Sequence, residues 1–98
     1  MTVIVGVLAL LEAKPEKAAE LAALLEQARE LAVAEQQTVS WYAFQADPVT
    51  FGIFDTFESD DGRQAHLGGE IAQTLMQVAP ELLAQDPDIR PVDLLAVK

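Results

Sequence analysis

The sequence contains no cysteine, few basic residues and only one histidine. Without cysteine, the 98-residue chain has no disulfide, no thiolate nucleophile and no thiolate metal ligand. This composition fits a reducing compartment, so we expect a cytoplasmic protein. Six basic residues against sixteen acidic ones give a net charge of −10, which repels nucleic-acid backbones and anionic membrane surfaces. We therefore predict no nucleic-acid partner and no membrane partner.

The first apolar segment is the run VIVGVLALL at residues 3–11, which is apolar on both alternating faces. No basic residue precedes it and it is far shorter than a membrane span, so a strand covered from both sides is the better interpretation. Pro15 then suits the first turn of a helix. Alanine and leucine recur at helical spacing from there to about Ala34, which predicts a helix with one buried stripe.

Two alternating segments follow, at residues 38–45 and 50–57. Both are rich in β-branched and aromatic residues. The turn-forming pair Asp47-Pro48 lies between them, so we predict that the two segments form an antiparallel hairpin. The stretch from Ser40 to Leu67 contains the only Trp, the only Tyr, all four Phe and the only His. If the chain has a site, we expect it in this stretch.

The remaining sequence predicts helix and then strand. Ser59 or Asp60 can cap a helix that carries His66. Gly68-Gly69 breaks or bends this helix, helical spacing then resumes, and Pro80 predicts a further kink or restart. Residues 89–97 are predicted to form the last strand.

The element order β-α-β-β-α-β predicts an α+β fold, the ferredoxin-like plan with a four-stranded antiparallel sheet, as a single domain over residues 1–98. Both helices of this plan lie on one face of the sheet. Because the strands are apolar on the other face too, and no segment is left to cover it, we expect a homodimer through the sheet face.

His66 is the one side chain whose unperturbed pKa allows proton transfer near neutral pH, so it is the candidate catalytic residue, with a structural role as the alternative. Asp55 lies within an apolar run, and a buried carboxylate must be paired or functional. A bond to Arg63 or to a partner subunit is the first expectation. The sequence shows no metal-ligand spacing and no motif around Ser40 that indicates a nucleophilic triad.

Trp41, Tyr42, Phe44 and Phe54 are candidates to line an apolar pocket for a planar ring, with core packing as the alternative for most of them. Tyr42 also has a polar hydroxyl. Strand alternation places Trp41 and Tyr42 on opposite faces, so we expect that they cannot both line one cavity unless a bulge intervenes. Trp41 is the first candidate.

The whole chain resembles the antibiotic biosynthesis monooxygenase family of small dimeric α/β-barrel proteins, which includes quinol monooxygenases. The resemblance is carried by the helix beginning KPEKAAEL, by SWYAFQADPVTFGIFDTFESDDGRQAHL and by the closing IRPVDLLAVK. It implies that two subunits pack sheet on sheet, with a pocket between sheet and helices, and that His66 occupies a position where these proteins commonly have a His. Haem-degrading relatives carry an Asn on the first strand and a Trp near the end of the third, both missing here, which disfavours haem degradation.

The resemblance implies an oxygenase that works without a cofactor on a small phenol, quinol or anthrone. In this hypothesis neutral His66 accepts or shuttles the substrate's proton, Trp41 packs on its ring, and Tyr42 and Phe44 shape the strand from its other face. The alternative function is a non-catalytic dimeric protein that binds a small apolar or aromatic ligand. An isomerase or decarboxylase is a third possibility, with Asp55 as the second acid or base.

Overall fold

The computed structural model describes residues 3–98, and within them the strands and helices follow the predicted order. Residues Met1 and Thr2 of the predicted domain lie outside the described residues. The strands are β1 (Val5–Glu12), β2 (Thr38–Gln45), β3 (Thr50–Phe57) and β4 (Asp88–Asp93). The helices are α1 (Ala18–Ala34), preceded by a 3₁₀ turn at Pro15–Lys17, α2 (Asp60–Leu67) and α3 (Glu70–Leu82).

The four strands form one sheet in the order β2-β3-β1-β4, and every neighbouring pair is antiparallel. This confirms the predicted ferredoxin-like α+β fold. The predicted break at Gly68-Gly69 is also confirmed, because α2 ends before it and α3 begins after it. The second helical region therefore consists of two helices, which turns the order into β-α-β-β-α-α-β.

Two details of the prediction are wrong. The last strand ends at Asp93 and not at residue 97, because Asp93 pairs with Val5, where the neighbouring strand β1 begins. Pro80 does not restart the helix, since α3 continues through it to Leu82. A proline this close to the helix end removes one backbone hydrogen bond only, the one to the carbonyl of residue 76.

Strand alternation decides which side chains reach the helices. In β3 the odd-numbered residues Phe51, Ile53, Asp55 and Phe57 are buried beneath the helices. Phe51 and Ile53 pack in one apolar cluster with leucines of α1 and α3. The even-numbered residues of β3 lie on the opposite, helix-free face. One charged residue, Asp55, is thus placed inside the core by the same alternation that buries its apolar neighbours.

The helix-free face of the sheet is apolar and only partly covered within one chain. Tyr42 is 60% exposed and Phe44 is also exposed, while Leu8, Leu10 and Phe54 are half-buried. The expectation that β1 is covered from both sides is therefore not met by a single chain. None of the helices in residues 3–98 is long and apolar enough to cross a membrane.

Candidate functional site

His66 lies in the last turn of α2 and is only 8% exposed. The position of α2 is set at its start, where the Ser59 side chain accepts a hydrogen bond from the backbone N–H of Gly62 at 3.2 Å. The imidazole packs at a tilt against Phe57, with 5.3 Å between the ring centroids. The helix therefore turns its histidine inward, toward strand β3.

Asp55 is the partner of His66 on the sheet side. The distance from its Oδ2 to the His66 Nε2 is 2.8 Å, and Asp55 is 1% exposed. The expected bond between Asp55 and Arg63 is wrong. Arg63 instead donates to Asp60 and to the carbonyl oxygens of Gly6 and Val92. Its guanidinium is thus turned toward β1 and β4, away from Asp55.

Glu35 is the partner of His66 on the other side, and it was missing from the sequence-based candidates. Its Oε1 lies 2.7 Å from His66 Nδ1 and also accepts a hydrogen bond from the Thr38 hydroxyl at 2.7 Å. Glu35 is the residue that ends α1, where the chain becomes extended. A carboxylate beside the negative end of a helix dipole is unfavourable. That misplaced charge is the one signal in the sequence that could have identified Glu35.

These three side chains come from three different elements and form one hydrogen-bonded chain, Glu35–His66–Asp55. Burial by itself lowers the pKa of His66, but the hydrogen bonds and negative charges of Asp55 and Glu35 outweigh it and raise that pKa above its ordinary value. The imidazolium form of His66 is therefore favoured. This differs from the neutral His66 that the sequence hypothesis used as a proton acceptor.

Trp41 lies next to the hydrogen-bonded side chains of Glu35, His66 and Asp55, because it is the cross-strand neighbour of Asp55 on the helix side of the sheet. Its indole N–H and the second carboxylate oxygen of Asp55, Oδ1, are both buried and have no hydrogen-bond partner among the described residues. A buried donor and a buried acceptor left unpaired are each costly. A hydroxyl group could satisfy both, since its oxygen accepts from an N–H while its own proton is donated.

A groove of about 500 Å³ runs along the edge strand β2, beneath α1. Trp41 and Phe51 line its apolar wall, and Arg29 is the basic residue that lines it. Tyr42 and Phe44 line the groove as well, so the expectation that Trp41 and Tyr42 cannot share a cavity is wrong. The reason is that β2 lies at the edge of the sheet, where a groove along the strand borders consecutive residues of both faces. Phe54, on the central strand β3, does not line it.

A second groove, of about 380 Å³, opens on the other side of His66. It lies between the end of α1 and the start of α3, and its lining includes Glu35, Gln37, His66 and Glu70. His66 and Glu35 are thus reached from solvent on this side. Within residues 3–98, no three His, Asp or Glu side chains are grouped in a way that could hold a metal ion.

No family model matches the sequence, and no curated protein matches it either. Solved structures, in contrast, do match this chain. The protein NE2512 of unknown function from Nitrosomonas europaea is 47% identical, with a TM-score of 0.95, over 98% of this chain and 93% of that one.

Two further structures, both provisionally named as antibiotic biosynthesis monooxygenases, share the fold at lower identity. The one from Nitrosomonas europaea is 14% identical with a TM-score of 0.83, over 94% of this chain and 99% of that one. The one from Caulobacter crescentus is 21% identical with a TM-score of 0.79, over 96% and 92%. At these identities the likeness shows a common fold.

Proposed function

This chain belongs to the same family as the Nitrosomonas europaea protein NE2512, and from that premise and its monooxygenase-like fold we propose that it oxidises a small phenol, quinol or anthrone with dioxygen, without a cofactor. The observation that carries the proposal is the buried His66–Asp55 pair beside the unpaired N–H of Trp41. Asp55 and Trp41 thus supply an unpaired acceptor and an unpaired donor on neighbouring strands, and Trp41 also lines the aromatic groove.

The reaction asks little of the protein. Removal of the hydroxyl proton makes the substrate electron-rich enough to pass one electron to dioxygen, and the superoxide and substrate radical then combine at a ring carbon that carries hydrogen. The peroxide takes back the proton and loses water, which leaves a carbonyl at that carbon. The substrate supplies all the electrons, so one molecule of dioxygen yields one carbonyl oxygen and one water without any external reductant.

In this proposal each residue has a separate role in the reaction. The His66–Asp55 pair takes up the proton and returns it, and the Trp41 N–H donates to the oxygen that becomes negative. The Trp41 side chain packs on the ring in the groove along β2, while Tyr42 and Phe44 shape the strand from its other face. Asp55 is almost fully buried and does not line the groove, so the hydroxyl reaches it only when neighbouring side chains move.

Oxygen uptake with a panel of phenols, quinols and anthrones tests the proposal. We expect wild-type uptake, and a loss on the order of 10²- to 10⁴-fold in His66→Gln, the range that general acid–base groups contribute. Glu70→Gln is the matched control, because Glu70 lines the second groove but makes no hydrogen bond to His66. Equal turnover in wild type and His66→Gln would remove His66 from the mechanism.

A ligand-binding protein without catalysis is the competing function, favoured by the size of the groove along β2. The same panel separates the two possibilities. Thermal stabilisation by a phenol without any oxygen uptake indicates a binding protein.

We also propose that a second copy of the chain covers the helix-free face. Half-buried Phe54 lies at its centre, with the exposed aromatics Tyr42 and Phe44 beside it. Phe54→Glu places a charge there and should shift the sedimentation of the protein from dimer to monomer. Met76→Glu, at an exposed apolar residue of α3 on the helix side, should leave it unchanged. A wild-type protein that sediments as a monomer at micromolar concentration would rule the dimer out.

A further inference from the structure

The two short contacts of the His66 ring restrict where its protons can be. Nδ1 lies 2.7 Å from a Glu35 oxygen and Nε2 lies 2.8 Å from an Asp55 oxygen. At such distances a proton must lie between each nitrogen and its oxygen, because two lone pairs would otherwise face each other. A carboxylic acid ordinarily releases its proton at a lower pH than an imidazolium does. The carboxyl groups of Asp55 and Glu35 also raise the pKa of His66 against the effect of its burial, so we assign both protons to the ring.

A doubly protonated His66 has no lone pair left to take a proton from a substrate. In the Asp55 carboxylate, Oδ2 accepts a hydrogen bond from the Nε2–H of His66, while Oδ1 has no partner among the described residues. That free oxygen is on the residue next to Trp41, whose indole N–H is also without a partner in residues 3–98. The acceptor and the donor that a phenolic hydroxyl needs are thus Asp55 and Trp41.

We propose that Glu35 is a positioning residue, which keeps both nitrogens of His66 protonated and so makes Asp55 the group that accepts the substrate's proton. The proposal rests on the proposed oxygenase function and assigns the roles within that site. The proton passes from the substrate oxygen to Asp55 Oδ1 and leaves a phenolate. It returns from Asp55 to the peroxide oxygen later in the same turnover, so that no net proton is gained or lost by the protein.

The charge on His66 also helps the step, because a positive ring beside the site favours the negative substrate. The charged groups facing the ring are Asp55 from β3 and Glu35 from the end of α1. Glu70 at the start of α3 lines the same groove without a hydrogen bond to the ring, and Arg63, one turn earlier on α2, binds Asp60. Both immediate neighbours are therefore acidic, which is the arrangement that holds an imidazolium.

Nitrogen NMR on ¹⁵N-labelled protein tests the inference directly. The sequence has one histidine, so the spectrum contains a single imidazole and needs no assignment. In the wild type we expect both ring nitrogens to be protonated at neutral pH, with a titration midpoint above that of free histidine. Glu35→Gln should move the midpoint to lower pH, and Glu35→Asp, which keeps the charge on a shorter side chain, should fall between the two.

Glu70→Gln is the control and should leave the titration unchanged. A His66 that is neutral in the wild type at neutral pH would overturn the inference, and so would a midpoint that Glu35→Gln does not move. The wild-type spectrum needs no variant, so poor folding of a mutant cannot hide the answer.

Kinetics supply the second test. Asp55→Asn should lose on the order of 10²- to 10⁴-fold in kcat, and the alkaline limb of the kcat/KM profile should move to lower pH in Glu35→Gln. An active Asp55→Asn protein would overturn the role of Asp55. If no substrate of the panel is oxidised, the proposed function fails, while the nitrogen spectra still decide whether Glu35 keeps His66 doubly protonated.

Discussion

The replacement of Asp55 by Ala is the sharpest test of how the site is built into the core. Asp55 is almost fully buried and bonds the imidazole of His66, which the variant leaves with one carboxylate partner and not two. Removing one member of a buried ion pair costs about 3–5 kcal/mol. The free energy of unfolding of a domain of this size is about 5–15 kcal/mol. At about 4–8 °C per kcal/mol, the melting temperature should fall by roughly 12–40 °C.

This loss of stability should depend on pH, with a definite sign. The pKa of His66 is raised in the folded protein, so its protonation contributes stability that is complete below the ordinary value of 6.5. That contribution is lost as the pH rises through the higher pKa of the folded state. Asp55→Ala removes the hydrogen bond and the negative charge of Asp55, which are a large part of the interactions that raise the pKa of His66. The difference between wild type and variant is therefore greatest near about pH 6 and smaller in alkaline buffer.

Urea unfolding at fixed protein concentration, followed by the fluorescence of the single Trp41, measures both effects. Asp88→Ala is the control, because this aspartate is exposed and pairs with Arg90 at the surface, and its loss should change little. The reasoning is refuted by a destabilisation below about 1 kcal/mol near pH 6, since that would place the pair among surface ion pairs. A destabilisation of equal size at acid and alkaline pH would refute the linkage to His66.

Three further substitutions test other contacts. Phe57→Ala removes a fully buried ring that packs on His66, and we expect a loss of about 3–5 kcal/mol in the free energy of unfolding, measured in urea. Trp41→Phe keeps the ring but removes the unpaired N–H, so its stability should stay within about 1 kcal/mol of wild type while calorimetry shows weaker phenol binding. Gly52→Ala places a methyl group where the Phe44 ring lies, which should displace that ring and weaken self-association in sedimentation; an unchanged dimer would contradict this.

The hairpin was predictable because its pattern is local. Apart from a register shift between Thr38 and Ser40, the two strands pair regularly, and Asp47, at the turn, supplies a side-chain acceptor for the N–H groups of Val49 and Thr50. The fold followed from the order of such segments. The end of β4 could not be predicted in the same way, since residues 94–97 are as apolar as a strand. Whether residues 94–97 pair in the sheet depends on where β1 begins, and strand register decides this, not composition.

The site was only half predictable, for a similar reason. Alternation identifies Asp55 as a carboxylate on a buried face, and composition identifies His66 as the one imidazole. Neither observation says that the two side chains meet, because that depends on how α2 crosses the sheet. Glu35 was missed because a carboxylate at the negative end of a helix dipole is only weakly unfavourable when solvent surrounds it, so its position alone does not point to a buried partner. Its role appears only when α1, α2 and β3 are assembled.

The point at which α1 ends makes the site sensitive to the length of that helix. Glu35 is the first extended residue after Ala34, and the turn of the backbone there directs its side chain toward α2. One residue inserted into α1 would rotate the following part of the helix by about 100° and carry Glu35 away from the imidazole. An insertion at the exposed hairpin tip around Asp47 would leave these distances untouched. Insertions should therefore be tolerated well at the hairpin tip and poorly in α1, where a change of length breaks the contact between Glu35 and His66.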